Sequence, residues 1–373
     1  MDTARLKESF ARVAMHGDEV ALFFYSDLFL RHPETRDLFP VSMADQRDHL
    51  LQALARIVGD VDNTERLGPF LQDLGRDHRK FGTLADHYEP VGASLLATLA
   101  HFSGPDWTPE LAADWQAAYG VVAKVMTEAA VEDEKLNPPF WEATVLSHEM
   151  RTLDIAVFRV VTLDNLDFRP GQSVGIECDL RPRVWRFYSI ANAPREDATL
   201  EFHVRMVDGG VLSPALARGL SPGSRLRLGP PVGSLTFDSG SARKVLMVAG
   251  STGLAPLKAI AGQIAGLPDP PEVHLFVGAQ QAEALYDVAD LEKLSTDSPW
   301  LSVTSCVSAE PDYPGERGTL PDVVARSGSW ADHDAYVAGP TPMVEAMADR
   351  LSSLGVPPGQ IHVEDFGWSE PCP

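Results

Sequence analysis

Cysteine is scarce in this 373-residue chain, lysine and arginine never cluster, and no run of about 20 apolar residues interrupts it. The three cysteines, Cys178, Cys306 and Cys372, are scattered, odd in number and without a paired-cysteine or histidine-rich neighbourhood, so neither a disulfide framework nor a zinc site is implied. A formal net charge of -22 with no basic run disfavours phosphate backbones and anionic lipid, so neither a nucleic acid nor a membrane is an expected partner. The N-terminal MDTARLKESFARVAMHGDEV carries acidic residues in an amphipathic pattern, where a signal peptide needs a basic start and an apolar run. A reducing, cytoplasmic location is the expectation.

With 44% hydrophobic and 23% charged residues the composition is that of ordinary folded domains, and the length allows two or three. Residues 1–134 space their apolar positions three and four apart, as in Val20, Phe24 and Leu28, or Leu67, Leu71, Leu74, His78 and Phe81. Pro33, Pro40, Pro69, Gly82 and the GPDWTP stretch cut this segment into six or seven helices. After KLNPPF at 135–140 the pattern turns to short β runs at 142–147, 155–162, 173–178, 185–191, 199–207 and 225–228, which predicts a small antiparallel barrel over 138–238. From about residue 242 strand and helix alternate through KVLMVAG, VHLFVGA, LSVTSCV and DAYVAGP, which predicts an α/β domain with a parallel sheet to the end at 373. The fold expectation is therefore multidomain: all-α, then antiparallel β-barrel, then α/β.

KVLMVAGSTGLAP places a buried strand before a glycine-containing turn and a helix start, a geometry that aims backbone N–H groups at a phosphate. Gly250 and Gly253 are its candidates. Alone, that turn is weak evidence, since ordinary strand-to-helix connections look the same. Upstream, RFYSIANAP at 186–194 resembles the flavin signature of the ferredoxin-NADP reductase superfamily. FRPGQ, GGVLS, GPPVG, AGSTGLAP, VAGP and VEDFG fall in that superfamily's order, and Ser173, Pro214 and Ala338 depart from its usual residues.

A histidine on an apolar helix face is by itself more often a core residue than a ligand. The companions of His78 change this: FFYSDLFLRHPETRDLF, ADQRDHL, RDHRKFG, HYEPVGASLLATL and WQAAYGVVAKV resemble the globin domain of flavohaemoglobins in order and spacing over residues 10–125. The resemblance implies His78 as the haem iron ligand, Tyr25 and Gln46 around bound dioxygen, Phe39 and Leu50 lining the haem pocket, and Tyr88 beside the proximal imidazole. Gln46 and Leu50, four apart, share one helix face. The family's proximal glutamate falls on Ala130, with Glu128 on another face and Glu134 one turn further on. Weaker electron donation to the iron follows unless Glu134 substitutes.

For the remainder, the resemblance implies Arg186, Tyr188, Ser189, Gly210, Ser213 and Phe366 at FAD, and Gly250, Thr252, Gly253, Pro256, Gly339 and Pro340 at the nicotinamide nucleotide. The implied cofactors are haem b, FAD and NADH or NADPH; VGAQQAE offers neither a basic pair for a 2′-phosphate nor a clear acidic ribose ligand. The implied activity is that of a nitric oxide dioxygenase acting as a monomer or weak dimer, with O2, NO and NAD(P)H as its small-molecule partners. Two other readings stay open: a self-reducing haem-based oxygen or redox sensor or NAD(P)H oxidase, and a haem-free flavin reductase serving an external oxygenase.

Overall fold

A computed structural model describes residues 1–366, so Cys372 lies outside the described residues. The chain divides into a first compact unit, Met1–Phe140, and a second that begins at Trp141.

The first unit is helical: α1 (Thr3–Ala14), α2 (Asp18–Arg31), α3 (Ala44–Gly59), α4 (Thr64–His78), α5 (Tyr88–Ser103) and α6 (Pro109–Glu134), with short 3-10 turns at Pro33–Leu38, Arg79–Phe81 and Ala85–His87. Local chemistry sets the starts. Asp2 and Asn63 accept the backbone N–H three residues on, at 3.0 and 3.2 Å, and Thr108 caps α6 ahead of Pro109 at the first helical position. Gly82, with φ +77°, stops the turn after α4 in a left-handed conformation that a side chain would resist. Helices α4 and α6 cross closely because Gly75 has no side chain: a Cβ there would stand 2.3 Å from the carbonyl oxygen of Met126. Arg5 on α1 donates from Nε to Asp114 on α6 at 2.8 Å and ties the ends of the unit together.

The second unit holds two sheets. The first is antiparallel: β1 (Trp141–Met150), β2 (Ile155–Thr162), β3 (Ser173–Cys178), β4 (Arg186–Ser189), β5 (Thr199–Arg205) and β6 (Arg225–Val232), in the order β4-β3-β6-β1-β2-β5, with α7 (Ser213–Gly219) between β5 and β6. Ile190, just past β4, bridges Phe202 on β5, so the two edges meet and the sheet all but closes into a barrel. Alternate residues fill its interior, among them Phe158, Val160, Leu200, Phe202 and Val204.

The second sheet is parallel and runs β10-β9-β8-β7-β11-β12, from β7 (Lys244–Gly250), β8 (Val273–Ala279), β9 (Leu301–Val307), β10 (Glu316–Arg317), β11 (His333–Gly339) and β12 (Ile361–Asp365). Its helices are α8 (Leu254–Ala265), α9 (Val288–Asp297), α10 (Leu320–Ser327) and α11 (Thr341–Ser353). β7 and β11 are fully buried apart from Lys244, as expected for central parallel strands covered on both faces. One apolar cluster joins Ile155 and Val157 of β2 to Met247, Leu257 and Ile260, so barrel and parallel sheet share a core. The short β10 and α10, and the strand character of IHVED in β12, are additions to the sequence reading.

Candidate functional site

Helix α3 is amphipathic, yet of its 16 residues only Val58 is buried. Its apolar face, Leu50, Leu54 and Ile57, in line with Gln46, remains half-buried. A helix in a closed core would bury that stripe. The apolar side chains of the unit accordingly form two clusters rather than one. The first gathers Tyr25, Phe24 and Leu28 with Phe29, Phe39, Leu50 and Leu54; the second gathers Leu67, Phe70, Leu71 and Met126 with Ile57, Leu74 and Tyr88. A flat apolar prosthetic group between the clusters would complete both.

In the first cluster the amide of Gln46 donates to the phenol oxygen of Tyr25 at 3.2 Å, and the Tyr25 hydroxyl donates to the Gln46 carbonyl at 3.3 Å. Tyr25 is 6% exposed, and burial pushes its phenol well above the ordinary range, so it stays a proton donor. Phe39 meets the Tyr25 ring edge-on at 5.4 Å and Phe29 stacks at 5.7 Å, so the phenol is held on three sides. Arg36 donates to the carbonyls of Phe39 and Val41 and fixes the corner that presents Phe39.

His78 ends α4. Its Nδ1 donates to the carbonyl of Leu74 at 2.7 Å, which assigns the proton to Nδ1 and leaves the Nε2 lone pair for a ligand. Packing around the ring lowers its pKa, favouring the neutral imidazole that iron requires. Tyr88 opens α5 and packs against the second cluster; its carbonyl accepts from the Tyr119 hydroxyl at 2.5 Å. Ala130 lies on the α6 face of Val122 and Met126, which pack in that same cluster. Glu134 is exposed and has no hydrogen bond or ion pair among the described residues, so nothing in its setting substitutes for an acid at position 130. The neighbouring acid, Asp133, is committed to Arg79. Donor, tautomer, apolar clusters and the distal phenol–amide pair all fit a haem.

In the barrel, Arg186, Tyr188 and Ser189 follow one another on β4, and Tyr188 packs against the barrel core. Burial raises the Tyr188 phenol well above its ordinary range. Ser213 accepts from the Val207 N–H at 3.1 Å and closes the loop that carries Gly210. A Cβ at Gly210 would meet the Ser213 hydroxyl at 2.9 Å, so this loop tolerates only glycine without shifting. The Ser173 hydroxyl bridges Ser189 at 3.2 Å and the carboxylate of Glu364 at 2.8 Å. Glu364 was missed by sequence reasoning although it stands two residues before Phe366 in VEDFG. Burial pushes its carboxyl up to about 7 against the Ser173 hydrogen bond, and its Oε2 is buried without a partner. An orphaned polar atom beside the flavin motif is what a ligand would satisfy. Phe366 donates its N–H to the Gly339 carbonyl at 2.9 Å and exposes its ring.

In the parallel sheet β7 is flanked by β8 on one side and β11 on the other, so the direction of winding switches at β7. Ligands of open α/β sheets bind outside the strand C-termini at such a switch. There the structure gathers Gly250, Thr252, Gly253, Gly339 and Pro340. A Cβ on Gly253 would stand 2.1 Å from the Ala338 carbonyl oxygen, and one on Gly250 would stand 2.7 Å from Met343 Cε. Ser251 sits at φ 52°, a left-handed conformation unusual for a residue with a side chain. Pro256 is buried in the first turn of α8 and packs inward.

Three family models match the chain in succession: Globin over residues 22–126, Oxidoreductase FAD-binding domain over 139–237, and Oxidoreductase NAD-binding domain over 247–349. Proteins named flavohemoprotein from Rhodopirellula baltica and Rhizobium meliloti are 26% and 27% identical, covering 98% and 95% of this chain and 97% and 94% of theirs. The ferredoxin–NAD(P)(+) reductase component of naphthalene 1,2-dioxygenase/salicylate 5-hydroxylase systems from Ralstonia is 34% identical over 60% of this chain and 68% of its own. A solved flavohemoglobin from Malassezia yamatoensis with bound FAD and heme shares the fold at TM-score 0.78 and 16% identity, covering 98% of each chain. The relatives that match only the reductase half leave the helical third unaccounted for. With the globin, flavin and nucleotide modules present in that order, and with full-length relatives so named, the chain belongs to the flavohaemoglobin family.

Proposed function

We propose that this flavohaemoglobin is a nitric oxide dioxygenase. The reaction balances as two NO and two O2 with one NAD(P)H, giving two nitrate ions, NAD(P)+ and a proton. Haem provides the iron for dioxygen chemistry, and FAD divides the nicotinamide's electron pair into the single electrons iron accepts.

The observation that carries this reading is the Tyr25–Gln46 pair among Phe29, Phe39 and Leu50: the Gln46 amide keeps a second N–H beyond the one it gives the phenol, and the Tyr25 hydroxyl, which donates to the Gln46 backbone carbonyl, would turn that proton to a bound ligand. Donors in an apolar pocket stabilise the partial negative charge that dioxygen takes up. His78 would hold the haem through its Nε2 lone pair. Arg186, Tyr188, Ser189, Gly210, Ser213 and Phe366 hold FAD, joined by Ser173 and Glu364. Gly250, Thr252, Gly253, Pro256, Gly339 and Pro340 hold the nucleotide. The corresponding domains are 1–134, 138–238 and 242–373. One structural neighbour is itself named for nitric oxide dioxygenase, the FAD/NAD-binding domain from Vibrio cholerae, at 21% identity and TM-score 0.54.

The second reading, an oxygen or redox sensor or NAD(P)H oxidase, is favoured by the alanine at position 130 with Glu134 exposed. The experiment is an anaerobic visible spectrum of haem-replete protein with NADH, followed by oxygen and a pulse of nitric oxide. A reducible Soret band with rapid NO loss and matching nitrate supports the dioxygenase. Slow NO loss with oxygen bound moves the assignment to the second reading.

A further inference from the structure

Strand β5 splits its side chains cleanly between two environments. Leu200, Phe202 and Val204 fill the barrel. Glu201, His203 and Arg205, the alternate positions, point out of it, where an antiparallel sheet ordinarily meets water. Yet Glu201 and His203 are only 2% and 4% exposed. What covers them is the nucleotide-binding lobe, and each of the three bonds a different part of it.

Glu201 accepts from Lys258 on α8 at 3.3 Å, and Lys258 also donates to Asp287 at 2.7 Å. His203 Nδ1 lies 2.7 Å from the Tyr286 hydroxyl, just ahead of α9, and its Nε2 lies 3.2 Å from Glu201. Arg205 donates to the hydroxyl of Ser251 at 3.3 Å, in the turn between β7 and α8. From the barrel side, Arg159 donates to Glu201 at 2.8 Å, and Arg151 reaches Asp290 at 3.2 Å.

Burial raises the Tyr286 phenol well above its ordinary range, so it stays a neutral hydroxyl bonded to Nδ1, and the Glu201 carboxylate can only accept, so the Nε2 proton faces it. Burial also raises the Glu201 carboxyl, but the His203 hydrogen bond and the Lys258 charge outweigh it and hold the group well below its usual range. Every polar group on the β5 face thus has a partner in a fixed direction. An apolar face would bind two lobes as tightly; directional bonds additionally select one orientation.

Orientation is what hydride transfer needs, since donor and acceptor atoms must meet at about 3–3.5 Å and a misplacement of about 1 Å costs on the order of a hundredfold in rate. We propose that Glu201, His203 and Arg205 are positioning residues for nicotinamide-to-flavin hydride transfer, the outer face of β5 setting the register of the nucleotide-binding lobe against the flavin barrel. The proposal rests on the FAD and nicotinamide assignment alone and is independent of nitric oxide.

The test is stopped-flow anaerobic reduction of the flavin by NADH and by NADPH in the full-length protein, comparing wild type with His203→Leu, His203→Gln and Tyr286→Phe. His203→Leu keeps volume and breaks both bonds; His203→Gln keeps one acceptor and one donor. The expected result is a limiting rate about tenfold lower in His203→Leu and Tyr286→Phe. The deuterium isotope effect is retained, FAD content and flavin midpoint potential are unchanged, and His203→Gln recovers most of the rate. Wild-type rates in both defective variants would overturn the proposal. So would a slowing that tracks lost FAD, a shifted potential or failure to fold, because the row would then serve only the barrel's integrity. A wild-type flavin that neither nucleotide reduces would overturn the cofactor assignment, and the proposal with it.

Discussion

The His78 imidazole and the Leu74 carbonyl, one helical turn apart on α4, are joined by a 2.7 Å hydrogen bond from Nδ1. A backbone acceptor cannot rotate away or change charge, so the ring is held in one tautomer with Nε2 free. His78→Gly is expected to give protein without a Soret band that still binds FAD and still reduces it with the nicotinamide. Added imidazole should restore the band, because the cavity left by the side chain matches it. A normal haem content in the variant would remove His78 from the ligand set.

On the distal side, Tyr25→Phe and Gln46→Leu each delete one member of a hydrogen-bonded pair while keeping its volume. A hydrogen bond to a partly charged acceptor contributes about 1.5–3 kcal/mol, so dioxygen should leave about 10- to 100-fold faster. Flash photolysis or stopped-flow release measures this. Equal rates in both variants and wild type would place the pair outside the ligand pocket.

Position 130 offers a gain-of-function test. Ala130→Glu returns an acid to the α6 face shared with Val122 and Met126, in the cluster where Tyr88 packs. A more electron-donating imidazole stabilises the ferric state. The expected outcome is a haem midpoint potential lowered by about 60 mV, one tenfold step for a one-electron couple. Spectroelectrochemistry reads it, and an unchanged potential would show that this face of α6 does not tune the iron.

Glu364 links pH to stability. Its folded pKa, pushed by burial up to about 7, exceeds the ordinary 4.5, so the folded state favours the protonated carboxyl. The stabilisation is present in full below pH 4.5 and is lost as pH rises through 7. In protein freed of flavin, wild type should lose about 3 kcal/mol across that window relative to Glu364→Gln, which carries no titrating group. Parallel unfolding curves for the two proteins from pH 4.5 to 7.5 would refute the buried, orphaned placement of Oε2.

Two helical glycines should respond oppositely. Gly120→Ala, in the middle of α6, meets nothing within 4 Å and should stabilise that helix by about 0.5–1 kcal/mol. Gly75→Ala drives a methyl into the backbone of Met126 at 2.3 Å and should cost about 1–3 kcal/mol, with weaker haem retention. Thermal unfolding together with a haem-transfer assay distinguishes them.

Much of this was legible along the chain. The period-three-and-four spacing before residue 134, the short β runs from 142 to 228 and the strand–helix alternation after 242 predicted the three folds, because each pattern reflects which face of an element is buried. The joint order of motifs, rather than any one of them, singled out His78, the β4 signature residues and the β7 turn as candidates. β10 and α10 escaped because two and eight residues carry too little periodicity. Glu364 escaped because an acid in an exposed-looking strand end gives no sign that a serine 191 residues earlier reaches it.

The sequence by itself determined the fold class and order of the modules, since helix period, strand alternation and turn glycines are local properties. Tertiary structure alone decided which side of each element met a partner. Leu50, Leu54 and Ile57 form an apolar stripe that stays half-buried, and Glu201 and His203, polar positions on an alternating strand, lie buried between two lobes. The reason is physical: burial of a face depends on what the rest of the chain brings to it. The partners of these residues, Lys258 and Tyr286, stand 57 and 83 residues away, at a distance along the chain over which no local pattern extends.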